Sequence, residues 1–341
     1  MRLLIVTQAV DTDDPVLGFF ADWITGFAAR CEFVHVICLK GGLHALPANV
    51  RVHSLGKEGG RSRVKYLFRF FLYIYALRRE YDSVFVHMNP EYVALGGMLW
   101  RLWRKKVVLW FIHRRVSFSL RIAYHLAHAV CTATERSINI RGAKILALGH
   151  GIDTKLYAHE RSPAPRSILF LGRLDPIKRA DVFVDALNEL YSRGIACTAD
   201  IYGSPSAGYT DEAGGLKRGI ASLAQKNVLT MHESIPHAQT PSVYASHAIF
   251  VNLTPPGSFD KTILEACASG CVVIAANDAL AGLLPEALQT DGTKERTTSA
   301  LEAALALSEE ERQRIGAQNR MYVEEIHSLP KLVGKLVGIF R

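Results

Sequence analysis

The sequence predicts an α/β protein made of two tandem, doubly wound domains, each a parallel sheet covered by helices. Three observations carry this. Short apolar runs alternate with helix-like runs through both halves of the chain. A length of 341 residues suits two domains better than one. Between the halves, AHERSPAPR at residues 158–166 has two prolines and little apolar content, which reads as a linker. The domains are therefore drawn at 1–158 and 167–341. Two Rossmann-like domains in tandem place their parallel sheets facing a cleft, with ligands at the carboxyl ends of the strands.

The strands follow in order. LLIVT, FVHVICL, VRVHSL, SVFVHM, VVLWFIH, AVCTAT and KILAL in the first half are short, β-branched or aromatic, and bounded by turn residues. The second half repeats the scheme with SILFLG, ACTADIYG, NVLTM, AIFVNL and CVVIAA. RSRVKYLFRFFLYIYALRR, residues 61–79, reads as a basic, aromatic helix with Arg61, Lys65 and Arg69 spaced by four on one face. LWRLWRKK, residues 99–106, sets Trp100 and Trp103 among four cations. That mixture suits a membrane interface, and a pair of sheet-covering helices with a solvated outer face is the plainer alternative.

Composition narrows the class. Hydrophobic residues make up 49% of the chain, ample for two cores, and no run of eighteen apolar residues occurs. MRLLIVTQAVDTDD turns acidic too soon for a signal peptide and reads as a first strand. The six cysteines lack metal-ligand spacing and read as reduced core residues of a cytosolic protein. Residues 1–160 hold 22 Lys+Arg against 12 Asp+Glu, a balance of +10, whereas residues 161–341 hold 18 against 20, or −2. The excess points the first half toward a polyanionic surface. No helix-turn-helix, zinc-finger or RNA-binding signature accompanies it, so an anionic membrane is favoured over nucleic acid.

Two stretches about ninety residues apart carry the chemistry: ILFLGRLDPIKRADVFVDALNEL at 168–190 and GSFDKTILEACASGCVVIAA at 257–276. Each joins an apolar strand to a helix through a turn suited to an anion. Arg173 and Lys178 offer fixed positive charge, the first as a fork and the second as a point charge. The helix opening at Asp260 to Thr262 and Ile263 offers backbone N–H groups and the positive end of the dipole. Glu265, one turn in, is placed to accept hydrogen bonds from ribose hydroxyls.

At these residues the chain resembles a family-4 glycosyltransferase of GT-B fold. That family shows a G-R-L-x-x-x-K turn, matched by Gly172, Arg173, Leu174 and Lys178. It then shows E-x(7)-E running into E-A-x-A-x-G, whose end is matched by Glu265, Ala266, Ala268 and Gly270. LGHGIDTKLYA at 148–158 is similar to its N-G-V-D-T-x-x-F segment. The likeness covers nearly the whole chain and is strongest over 145–276. One departure stands out: Gly257 occupies the place of the first Glu, which in the family contacts the donor sugar. Asp260 is either its replacement or simply the helix cap.

The resemblance implies a retaining transferase that moves a sugar from a nucleotide-sugar donor to a saccharide or lipid-linked saccharide, in cell-surface polysaccharide or lipopolysaccharide synthesis. It implies no cofactor and no metal, with the cations and the α-helix stabilising the departing phosphate. Arg173, Lys178 and His113, which ends VVLWFIH, take the catalytic roles. Gly172, Gly203, Ser234, Ile235, Gly257, Ser258, Asp260, Thr262, Ile263 and Glu265 line the donor, and Gly18 is what remains of the glycine-rich turn after the first strand. Ordinary turns remain the alternative at Gly203 and at 232–235. Asp11-Thr12-Asp13 imitates the metal-binding D-x-D of another fold in the wrong context. The last segment, SLPKLVGKLVGIFR, has the place of a helix that crosses back to the first domain. The expected location is cytoplasmic, peripheral on the inner face of the cell membrane. Two other readings stay open: a non-catalytic sugar-nucleotide-binding partner of a membrane polysaccharide assembly, and a sugar-nucleotide epimerase on the same fold.

Overall fold

The computed structural model describes all residues except 15, 61, 159, 206–213, 257–259, 278–279 and 281. The chain forms two compact units. Unit 1 comprises Met1–Asp153 and Ile326–Arg341, and unit 2 comprises Thr154–Glu325. The division falls a few residues before the expected 158, and part of the expected linker, from Ala164 on, already belongs to a strand.

Unit 1 contains β1 (Arg2–Val10), α1 (Phe20–Ala28), β2 (Phe33–Gly41), β3 (Val50–Ser54), α2 (Arg63–Ala76), β4 (Ser83–His87), α3 (Pro90–Leu102), β5 (Lys106–Trp110), α4 (Phe118–Leu126), β6 (Ala129–Thr132) and β7 (Ile145–Ala147). Its sheet is parallel, ordered β3-β2-β1-β4-β5-β6-β7. Alternate strand residues feed two cores, as period two demands. Leu3, Ile5, Val34, Val36, Phe85 and Val108 face α1. Leu4, Val6, Val84, Val86, Val107 and Leu109 face α2, α3 and α4.

Unit 2 contains β8 (Ala164–Leu171), α5 (Ala180–Ser192), β9 (Thr198–Tyr202), α6 (Gly215–Gln225), β10 (Leu229–His232), α7 (Thr240–Ala245), β11 (His247–Asn252), α8 (Lys261–Ala268), β12 (Val272–Ala275), α9 (Lys294–Ala306) and α10 (Glu309–Tyr322). Its parallel sheet is ordered β10-β9-β8-β11-β12. The order reverses between β8 and β11, so the loops after these two strands flank a switch point, where open α/β sheets bind ligands. Ile168, Phe170, Ile201, Ile249 and Ile274 pack with α5, α6 and α9. Phe250 faces the other way, with the Tyr244 ring of α7 5.5 Å off.

The last helix, α11 (Leu329–Phe340), belongs to unit 1. It buries Leu329, Leu332, Val333, Leu336, Val337 and Phe340, and packs against α1. Two of the expected membrane residues change character here. Trp100 is fully buried, its indole N–H donating to the Tyr81 hydroxyl at 3.1 Å. It lies on the inward stripe Val93, Gly96, Gly97, Trp100 of α3, so it is a core residue and not an interface anchor. Trp103 is half-buried against the same core, beside the Tyr75 ring. Lys65 is exposed, whereas half-buried Arg69 donates to the Leu55 carbonyl at 3.3 Å. Arg61 lies outside the described residues.

Candidate functional site

The Gly172–Lys178 loop leaves β8, and the segment that begins with Leu253 and Thr254 leaves β11, at the carboxyl ends of the two neighbouring strands. Gly172 has φ +154°, a conformation that suits glycine. A Cβ on Gly203 would collide with the Gly172 carbonyl, so this position also needs glycine. The turns after β8, β9 and β10 are stitched together: Leu174 N–H donates to Ser204 O at 3.1 Å, and Ser234 N–H to Ser204 Oγ at 3.2 Å. The Gly203 and Ser234 turns are thus neighbours. Ser234 is exposed and Ile235 half-buried.

Asp260 caps α8 and does more. Its Oδ1 accepts from Thr262 N–H at 3.3 Å and Thr262 Oγ1 at 3.0 Å. Its Oδ2 accepts from Asn252 Nδ2 at 2.7 Å and Thr254 Oγ1 at 3.0 Å, and pairs with the Lys178 ammonium. Burial by itself raises this carboxyl, but the Lys178 charge and the donated hydrogen bonds hold it below the usual carboxylate value. The two sequence alternatives for Asp260 are therefore incomplete, since it is both a cap and the counter-ion of Lys178. It also claims the helix amides expected to be open. Thr262 N–H goes to its carboxylate and Ile263 N–H to its carbonyl at 3.2 Å, while the Ile263 side chain is buried in the core. The Thr262 and Ile263 amides are already satisfied.

Arg173 is the more accessible cation. Its side chain is 60% exposed, with Nε 3.5 Å from Asp175 Oδ2. Glu265 is buried and engaged: Oε1 meets Lys261 Nζ at 2.8 Å and His237 Nε2 at 3.2 Å, and Oε2 accepts from Tyr244 OH at 3.2 Å. Burial favours its neutral form, but the Lys261 charge and then His237 outweigh that and keep it far below the ordinary carboxylate range. Lys261, His237 and Tyr244 are site residues that the sequence reading passed over. The available signal was the i, i+4 spacing of Lys261 and Glu265.

Gly257 and Ser258 lie outside the described residues. His113 and Gly18 belong to unit 1. His113 is exposed beyond the end of β5, its ring edge-on to Phe111 at 5.7 Å. At Gly18 a Cβ would meet Thr12 O at 2.7 Å and Asp14 O at 2.9 Å. The glycine is required by the loop's own backbone. Asp11 of the D-T-D segment pairs with Lys40 at 3.2 Å.

Residues 165–308 match the family model described as glycosyl transferases group 1. No curated protein matches the chain. Solved structures match it along nearly its full length. Anabaena HepE in complex with UDP and glucose has a TM-score of 0.76 at 17% identity, covering 99% of this chain and 98% of that one. A glycosyltransferase from Rickettsia africae has a TM-score of 0.75 at 14% identity, covering 99% and 97%. Sucrose-phosphate synthase from Thermosynechococcus elongatus has a TM-score of 0.71 at 15% identity, covering 100% and 98%. The fold is GT-B, two Rossmann-like units in tandem.

Proposed function

We propose that the chain is a glycosyltransferase that takes a sugar from a nucleotide sugar. The observation that carries this is the meeting of the Arg173–Lys178 loop with the N-terminus of α8 at the switch point of unit 2. The group 1 match spans both segments, and similar folds have been solved with UDP, with UDP-glucose and with UDP-2-fluoro glucose. In the reaction the bond from the sugar anomeric carbon to the β-phosphate breaks and a bond to the acceptor oxygen forms on the same face. The acceptor proton passes to the departing phosphate. Arg173 stabilises the charge that develops there. Lys178 contributes by sharing its ammonium between Asp260 and the phosphate. No metal is required in this scheme, and a chelator should leave turnover unchanged.

The acceptor is a saccharide or lipid-linked saccharide in cell-surface polysaccharide or lipopolysaccharide synthesis, met at the cytoplasmic face of an anionic membrane. The +10 balance of residues 1–160 supports this part. A second reading, a sugar-nucleotide binder without turnover, is favoured by Gly257 and by the neutralisation of Lys178. A thermal-shift screen of UDP-, GDP-, ADP- and dTDP-sugars tests binding. A ligand at one hundred times its Kd should stabilise by about 2.7 kcal/mol. Release of nucleoside diphosphate in the presence of acceptor separates transferase from binder. No shift with any sugar nucleotide would overturn both.

A further inference from the structure

We infer that the outer side of the α2–α3 layer is a lipid-docking surface, through which unit 1 inserts apolar side chains into an anionic membrane. α2 is apolar on two sides. Phe70 and Ile74 face the sheet, while Val64, Phe68, Leu72 and Tyr75 run along the opposite side, with Val64 80% and Phe68 68% exposed. α3 repeats the plan: Val93 and Trp100 point inward, and Leu95, Met98 and Leu102 form an outward stripe, with Leu102 76% exposed. Ring contacts hold the two helices side by side, Phe70–Tyr92 at 5.0 Å and Tyr75–Trp103 at 6.2 Å. Both helices cover the same face of the sheet, so both stripes look the same way. One exposed leucine is ordinary, but two adjoining apolar stripes are not.

The charge around the stripes selects the occupant. α2 carries Arg63, Lys65 and Arg69 and no acidic residue. Arg78 follows, its guanidinium 4.0 Å from the centre of the Tyr75 ring, and then Arg79. Arg101 and Arg104 flank the end of the α3 stripe. A second copy docked here would bring like charges together, which is costly. An anionic bilayer offers an apolar interior beneath negative headgroups, and so satisfies both features. Among the described residues no helix is long and apolar enough to cross a membrane, so α2 would lie in the interfacial plane. The inference deepens the acceptor part of the proposed function and rests on it there, while donor binding is independent of it.

The test is co-sedimentation with vesicles of mixed phosphatidylglycerol and phosphatidylcholine, against phosphatidylcholine alone, at low and high salt. The full chain is compared with the triple variant Phe68→Ser, Leu72→Ser, Met98→Ser. All three residues are exposed, so the urea midpoint should not move. The wild type should bind the anionic vesicles, and the triple variant should bind at least about tenfold more weakly. Phe68→Trp should show a blue-shifted emission on these vesicles that brominated lipid quenches. Wild-type-like binding by the triple variant would mean that attraction is electrostatic only and would overturn insertion. Unchanged Phe68→Trp emission would do the same. Absent vesicle binding, or a dimer that the triple variant dissolves, would also overturn it, the dimer assigning the surface to a second copy. Thermal stabilisation by UDP is read on every variant. Its absence in the wild type counts against the donor reading and leaves the vesicle result standing.

Discussion

The two units treat buried titratable groups in opposite ways. Unit 1 buries bases and leaves them neutral. His87 is 3% exposed, stacked 4.1 Å from Phe20, and burial, then His150, brings its pKa down to about 3. His53 is brought to about 4 by burial and then His35, and His327 to about 4 by burial and then Lys335. Unit 2 buries acids and keeps them charged, because Asp260 and Glu265 each have an ammonium partner and several donors. A neutral imidazole needs only packing and a hydrogen bond. A buried carboxylate must recruit partners from distant segments, and that recruitment is what assembles the candidate site.

The largest expected effect tests the acid side. Lys178→Ala strands the Asp260 carboxylate and should destabilise unit 2 by about 3–5 kcal/mol, read as a lower urea midpoint. Lys178→Ala combined with Asp260→Ala should recover part of the loss; no recovery would break the pairing argument.

Next, Arg173→Ala should leave stability within about 1 kcal/mol, since the Arg173 side chain is 60% exposed and 3.5 Å from Asp175 at its nearest. Turnover should still fall by the equivalent of about 2.7–4 kcal/mol. Near-normal turnover would remove Arg173 from the reaction.

Acid should then separate the units. The unit 1 histidines have folded pKa values below their unfolded value, so the unfolded chain takes up protons first. Their contribution is complete above about pH 6.5 and drains as pH falls toward 4. Asp260 and Glu265 are also depressed, but from carboxylate values, so their contribution is complete above about pH 4 and is lost below it. Tryptophan fluorescence should therefore change before the unit 2 signal does, because Trp23, Trp100, Trp103 and Trp110 all lie in unit 1. A single coincident acid transition would contradict the contrast.

The smallest effect is at His87. His87→Phe should change stability at pH 8 by less than about 1.5 kcal/mol and flatten the loss between pH 6.5 and 4.

Much of the fold was legible because each strand announces itself locally. LLIVT, SVFVHM and AIFVNL each fall within or across an observed strand. The two motif segments could be located, and the structure brings them to adjacent strand ends. What escaped is what depends on distance or orientation. Nothing in the local pattern around Lys178 indicates that its partner stands 82 positions on. Lys261 and His237 occupy Glu265 from two separate elements. LWRLWRKK looked interfacial because two tryptophans lie among cations, yet the inward spacing Val93, Gly96, Gly97, Trp100 had already turned Trp100 to the core.

The return of residues 326–341 to unit 1 makes unit 2 an insertion in topological terms. The two crossings run side by side, with Ile152 bridged to Ser328 in parallel and Leu329 N–H donating to Ile152 O at 2.8 Å. During synthesis unit 2 has all its residues while unit 1 still lacks the helix that fills the groove beside α1. Closure of unit 1 thus waits on contacts between chain positions some three hundred apart, such as Arg30 with Pro330. One cut at either crossing leaves the units joined by the other. Conversely, the adjacency of Ile152 and Ser328 means that unit 2 can be excised and the two pieces of unit 1 rejoined by a short linker into one continuous domain.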